Sequence, residues 1–264
     1  MKDSIRFVKS EIYRAMLSRR FVISVLCMMM VCFISIHDTI QNLISYGNKF
    51  DDSIVSVIKT MIGFDRFKVL IVVLSAIIYT DSYCSDFQTH YINLVYSRIG
   101  VRAYAICKCM VNFIISMFSI LLSLGGFALI LRTQIPLVIM DDMNESMYAP
   151  YYDMIQSHYA IWYLIMLIFT FALAISFLNI LGLLFSTFFN NKYVAFSVPF
   201  ICFYLLSTLT FYLPDSLYFL GFVSFNIEIS DNMFINILYN TTFLLGLYFL
   251  IGYQFTKQII KLNK

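Results

Sequence analysis

The chain has 264 residues, of which 61% are apolar and 12% are charged, and its 18 lysines and arginines against 15 acids give a net charge of +3. Soluble domains average about 45–50% apolar and about 25% charged residues, so this composition excludes an ordinary soluble domain. One helix needs roughly 20 residues to cross the hydrocarbon of a bilayer. The length therefore predicts a single all-α transmembrane domain with about six spans, and the small charge gives no support for nucleic-acid binding.

The first predicted element is an amphipathic helix within residues 1–20. Its apolar stripe consists of Ile5, Val8, Ile12 and Ala15 or Met16. The basic residues around that stripe are Arg6, Lys9, Arg14, Arg19 and Arg20. A basic amphipathic helix that leads into a span is typical of an elbow lying along the inner leaflet. The alternative is a partly disordered basic tail.

Hydropathy predicts six spans, with the second having only a short uncharged core. They are residues 21–36, 68–80 with some extension before it, 105–131, 159–189, 193–213 and 234–256. If both termini are cytoplasmic, most of the lysines and arginines fall on the cytoplasmic side, as the positive-inside rule requires. The segment 214–233 before the last span then lies outside, as a re-entrant or an amphipathic segment.

Residues 85–100, between the second and third predicted spans, are too short and too polar to cross a bilayer. Ser85 and Gln88 form a capping-box pattern that starts a helix, and Gly100 is suited to end it. One apolar stripe follows helical spacing along the segment: Phe87, Tyr91, Leu94 and Val95. The segment therefore predicts a short cytoplasmic amphipathic helix. Its apolar face either rests on lipid headgroups or enters a groove of a cytoplasmic protein.

Polar residues in the predicted spans are few. Asn112, Ser116, Ser119 and Ser123 fall on one face of the third span, and Asn179 stands alone in the fourth. Such residues either line a translocation path or hydrogen-bond helices to one another, and the second interpretation is favoured.

Charged residues are missing from the predicted span interiors, although ion-coupled transporters usually carry them there. The sequence also has no H-E-x-x-H pair and no phosphate-binding G-x-x-x-x-G-K-[ST] loop. Cys107 and Cys109 lack the other ligands of a metal site. We therefore expect no catalytic residues, no metal and no ATPase site, so a partner would have to supply energy for uphill transport.

The layout resembles the permease subunits of ABC-2-type transporters. The stretch SDFQTHYINLVYSRIGVRAYAICK is similar to the family segment in which an acid, a hydrophobic helix and an Arg-containing turn lead into the third span, here Asp86, Arg98, Tyr104 and Lys108. The resemblance implies that residues 85–100 are a coupling helix docked on a separate ATPase subunit, which binds ATP and Mg. The docking residues would be Asp86, Phe87, Tyr91, Leu94, Val95 and Arg98. A second permease copy or a sister permease completes the transporter.

Members of this size class resemble bacterial exporters of antimicrobial or toxin peptides, such as lantibiotic-immunity and phenol-soluble-modulin exporters. The 27 phenylalanines and 14 methionines offer the soft, adaptable surface that an amphipathic cargo needs. The resulting expectation is a peptide exporter permease in the bacterial cell membrane. The alternatives are a lipid or drug exporter permease, an ion-coupled secondary transporter, a membrane enzyme and a non-transporting scaffold.

Overall fold

A computed structural model describes residues 2–37, 53–63, 67–138, 151–156 and 159–263. Every regular element in these ranges is helical, and they contain no strand. The twelve α-helices are α1 Lys2–Met16, α2 Arg19–Ser35, α3 Ile54–Gly63, α4 Lys68–Tyr79, α5 Ser82–Gln88, α6 Tyr91–Ile99, α7 Val101–Leu131, α8 Tyr152–Gln156, α9 Ala160–Phe189, α10 Lys192–Leu209, α11 Phe219–Val223 and α12 Met233–Leu262.

The prediction of an all-helical, multi-pass membrane protein is confirmed. Five stretches in the described part of the chain are long and apolar enough to cross a membrane: Lys68–Gln88, Val101–Leu131, Ala160–Phe189, Lys192–Tyr212 and Met233–Leu262. A sixth is obtained if Ser4–Met16 and Arg19–Ser35, which meet at 55°, count as one broken span. The second predicted span continues beyond residue 80 to Gln88, since α4 and α5 follow each other almost directly.

The helix α9 forms the centre of the bundle. Its most apolar stretch is 78% buried, against 22% for the corresponding stretches of α10 and α12, and it packs against α7, α10 and α12. Gly182 permits the closest approach to α10, because a Cβ atom there would lie 2.6 Å from the carbonyl oxygen of Ala195. The outer faces of α10 and α12 therefore remain available to lipid or to other chains.

The predicted helix over residues 85–100 is two helices in the structure. α5 begins after Asp81, so Ser85 lies inside it and does not start a helix with Gln88 as predicted. The chain breaks at His90, whose φ of 56° is left-handed, and α6 then runs to the predicted stop at Gly100, with φ 80°. The amphipathic segment is therefore bent, and only its second half is separate from the second span.

The other end of the bundle carries a cap. It consists of α3, the segment 135–138, α8 and the segment 213–232, which includes α11. The backbone amides of Ile54 and Val55 donate to the carbonyl oxygens of Pro136 and Leu137, and Phe222, Phe225 and Ile227 are buried. Much of the predicted outer segment 214–233 thus folds back onto the helices; its depth relative to a bilayer stays a prediction.

Candidate functional site at the helix junction

Lys108 lies two turns into α7, at the end of the bundle where α1, α4, α5 and α6 meet; we call this region the junction. Its side chain has no exposed surface. Its Nζ atom lies 2.7 Å from Glu11 Oε2 and 2.7 Å from Asp86 Oδ2. One fully buried lysine is thus shared by a carboxylate from α1 and a carboxylate from α5.

Three further side chains complete this charge cluster. The hydroxyl of Tyr79 donates to Glu11 Oε2 at 2.9 Å, and the hydroxyl of Tyr104 donates to Asp86 Oδ2 at 2.9 Å. Arg14 Nη2 lies 3.1 Å from Glu11 and 3.4 Å from Asp86. Two carboxylates and two cations balance in charge, so the burial of these groups is compensated by ion pairing and hydrogen bonds.

Local sequence explains why these groups converge. Glu11 lies one turn after Phe7 and one turn before Ala15, and all three are buried, so Glu11 occupies the inward face of α1. Asp86 lies in α5, which continues the second span. Gly100 alone separates α6 from α7, so α7 begins directly next to the end of α6. The cluster therefore joins α1, α4, α5 and α7 at one point.

A second ion pair lies beside the cluster. Arg20 Nη1 is 3.0 Å from Asp81 Oδ2, but the Arg20 side chain is 56% exposed. Exposed pairs contribute roughly 0–1 kcal/mol, whereas removing one partner of a buried pair costs about 3–5 kcal/mol. The buried cluster, which links α1 to the second span and α7, is therefore stronger than the pair that links the start of α2 to the second span.

The predicted docking residues divide into two groups. Phe87, Tyr91 and Leu94 are exposed, at 44%, 37% and 63%; we call these three side chains the apolar patch. Asp86 and Val95 are 3% and 5% exposed, because they face the bundle, so they do not present the surface that their predicted docking role requires. Arg98 is exposed, and the docking roles of the exposed residues stay predictions.

Two grooves border the apolar patch. One, of about 580 Å³, lies between α1 and α6 and is lined by Arg6, Phe7, Ser10, Tyr91, Leu94 and Arg98, among others. The other, of about 570 Å³, runs along α5 and includes Arg14, Arg20, Asp86, Tyr91 and Leu94. Of the predicted elbow residues, Lys9 and Arg19 are exposed as well. The junction surface thus combines apolar side chains with arginines.

The predicted path residues lie inside the bundle. Asn112, Ser116, Ser119 and Ser123 are at most 2% exposed. The Asn179 Nδ2 atom donates to Ser75 Oγ at 3.1 Å and to Ser116 Oγ at 2.9 Å, which ties α9 to α4 and α7. These contacts favour helix packing, the interpretation preferred from the sequence, over a translocation path.

Glu11, Tyr79 and Ser75 were missed by sequence reasoning. Of these three residues, only Glu11 could have been recognised from the sequence, because it places an acid on the inward face of α1. The argument that the spans lack charge also needs correction, since Lys108 and its two carboxylates are buried among the helices at the junction. Within the described ranges, no group of His, Cys, Asp and Glu is arranged to hold a metal ion.

Comparison with known proteins gives no relative: no family model matches the chain, and no match is found among curated proteins or solved structures.

Proposed function

We propose that this chain is the membrane-spanning permease subunit of an ATP-driven exporter of the ABC-2 type. The observation that carries the proposal is the apolar patch. It lies on a bent segment whose buried side is locked to α1 and α7 through Lys108. A segment that is exposed on one face and anchored on the other has the form of a coupling element.

The exposed side of that segment fits a protein partner. Tyr91 and Leu94 line one groove together with Arg98, and Phe87 is exposed at the end of α5 just before the bend. Aromatic residues with arginine are typical of binding hot spots. A cytoplasmic ATPase with an apolar groove rimmed by carboxylates is the complementary surface. ATP and Mg would bind to that partner and not to this chain.

The buried side of the segment would transmit the movement of the ATPase to the membrane helices. When ATP closes the ATPase pair, the force on α5 and α6 reaches α1 and α7 through Glu11, Asp86 and Lys108. Packed helices move as rigid elements, so the inner ends of the second and third spans shift together. Two permeases, as a homodimer or a heterodimer with a sister permease, then alternate access across the bacterial cell membrane, with α1 as the elbow helix and both termini cytoplasmic.

The proposed cargo is an amphipathic peptide, such as an antimicrobial or toxin peptide, moved outward. Its support is chemical: the bundle surface is rich in exposed aromatic and aliphatic side chains, among them Phe200, Tyr204, Phe249 and Tyr253. A lipid or drug cargo fits the same surface and remains the alternative.

Leu94→Asp tests the docking. Burial of one leucine contributes about 1.5–3 kcal/mol, so we expect at least about tenfold less ATPase to co-purify. Asn93→Asp is the matched control, because it places the same charge on another, exposed face of α6. Both variants should insert normally. Equal ATPase recovery from the two variants, or a wild-type protein that retains no ATPase, would overturn the proposal.

The charge cluster favours a second candidate, a proton-coupled secondary transporter. Buried carboxylates that share a lysine are typical of proton relays. Liposomes that contain the chain alone separate the two functions. Uptake driven by a pH gradient, and lost in Lys108→Met, would support the secondary transporter. Transport that requires the ATPase and ATP supports the exporter.

A further inference from the structure

An apolar groove of about 460 Å³ lies between α7 and α12. Its floor is formed by Cys109, Tyr248 and Gly252, and its rims include Met110 and Phe249. The rim side chains are exposed, at 52% and 70%. Because no other part of the described chain covers it, this groove faces the surroundings of the bundle.

The floor of the groove is fixed by direct contacts between the two helices. The Tyr248 hydroxyl donates to the carbonyl oxygen of Cys109 at 2.7 Å. Cys109 Sγ lies 3.9 Å from the carbonyl oxygen of Gly252, so the two helices are in direct contact at this point. The groove is therefore a built feature of the bundle, since hydrogen bonding and close packing hold its two walls in register.

The dimensions of the groove match one leaflet. Ile106 and Ile114 mark its extent along α7, and eight residues rise about 12 Å in a helix. Leu245 and Thr256 mark it along α12, which corresponds to about 16 Å. Half of the hydrocarbon thickness is roughly 15 Å, which is the depth reached by an acyl chain from the membrane surface.

The groove has a cationic end. Arg102 is exposed and precedes Ile106 by four residues, so it lies one turn beyond the apolar lining on the same face of α7. On α12, Lys257 is exposed at the same end of the bundle, although its side chain lines the neighbouring groove with Leu184 and Phe188. Neither helix contains Asp or Glu, so this face presents positive charge without a counter-charge of its own.

From this combination we propose that the groove between α7 and α12 binds one anionic phospholipid. The acyl chain occupies the apolar groove, and the phosphate lies at Arg102, with Lys257 adding positive charge at the same end of the bundle. A second copy of this chain is the less suitable occupant. A symmetric contact through the same face would bring like charges of the two copies to the same depth, where like-charge contacts are unfavourable.

The test uses the full-length protein in mild detergent, with phosphatidylglycerol and phosphatidylcholine of equal chain length as probes. Native mass spectrometry counts the lipids that each chain retains. We expect wild-type protein to retain phosphatidylglycerol about fivefold better than phosphatidylcholine, the factor that one basic side chain near a headgroup provides. Arg102→Gln should remove most of this preference.

Two control variants separate a site from general lipid contact. Arg132→Gln removes an exposed arginine at the opposite end of α7 and should leave the preference unchanged. Met110→Trp fills the groove and should release the retained lipid, whereas Leu129→Trp enlarges an exposed residue outside it and should not. Equal retention of both lipids by wild-type protein would overturn the proposal. Lipid retention by Met110→Trp would also overturn it. So would a change of Met110→Trp from dimer to monomer, because the groove would then be an interface between two copies of the chain.

Discussion

The two ends of the molecule bury a lysine in opposite ways. At the junction, Lys108 lies 2.7 Å from each of two carboxylates. In the cap, Lys59 is 5% exposed, and its Nζ atom donates to the carbonyl oxygens of Ser224 and Phe225 at 2.8 and 3.3 Å. The ring of Tyr163 lies 5.7 Å away, and no carboxylate of the described chain forms an ion pair with Lys59.

This difference separates a lysine that is held by opposite charges from one that is held only by carbonyl oxygens and a ring. Two neighbouring carboxylates keep the ammonium of Lys108 compensated, so the junction is a fixed link between helices. Carbonyl oxygens and a ring compensate a cation only in part, and burial lowers the pKa of Lys59 from 10.5 to about 7. The junction is therefore suited to transmit force, whereas the cap is suited to respond to pH.

The largest expected effect comes from removing the junction lysine. Lys108→Met leaves Glu11 and Asp86 buried with only Arg14 as a cation, and we expect the free energy of unfolding to fall by about 3–5 kcal/mol. Lys59→Met removes a cation whose burial is only partly compensated, so it should not lower the free energy of unfolding at pH 7 and should raise it, because the penalty of burying the ammonium is removed with it. Denaturant unfolding in detergent measures both variants.

The double variant of Lys108→Met with Glu11→Gln serves as the control for that experiment. It removes one negative charge together with the lysine, so it should recover part of the lost stability. Equal losses in the two single lysine variants would show that the two sites do not differ as described.

The second effect is the pH dependence of the cap. Between pH 7 and pH 10.5 the unfolded chain keeps the proton on Lys59 and the folded chain does not, so the free energy of unfolding rises with pH by about 1 kcal/mol per pH unit. Below pH 7 both states are protonated, and the cost of burying the charge applies in full. Acid should therefore loosen α3 from α9 and α11.

Hydrogen exchange of the α3 amides measures this loosening, after correction for the intrinsic rate at each pH. Lys59→Met should abolish the pH dependence, whereas Lys9→Met, an exposed lysine on α1, should leave it unchanged. Protection that falls as the pH is raised from neutral to alkaline would contradict the expected direction of the effect.

Sequence reasoning captured the elements that periodicity and hydropathy determine. The bounds of α7, α9, α10 and α12 lie within a few residues of those predicted except at the C-terminal end of α12, because long apolar runs have few competing structures. The break at His90 escaped prediction, since a left-handed residue that is not glycine leaves no clear sequence signal. The sequence therefore predicts one unbroken helix over residues 85–100.

The buried cluster escaped prediction for a different reason. Glu11 and Lys108 are 97 positions apart, and only tertiary packing shows that one compensates the other. From the sequence, Lys108 is predicted to lie on the cytoplasmic side, and Glu11 receives no role. The expectation that spans carry no charge fails where two helices that are distant in sequence bring opposite charges together, as α1 and α7 do at the junction.

The smallest expected effect tests the exposed pair at the junction. Arg20→Gln breaks the contact with Asp81. The Arg20 side chain is 56% exposed and that of Asp81 is 4% exposed; because water solvates the arginine end of the pair, stability should fall by no more than about 1 kcal/mol. The loss should diminish with salt, because solvent ions screen exposed pairs. The loss in Lys108→Met should change little between about 0.05 M and about 0.5 M salt, since a buried cluster is screened far less. A salt-insensitive loss in Arg20→Gln would place Arg20 inside the charge cluster and extend the fixed link to the start of α2.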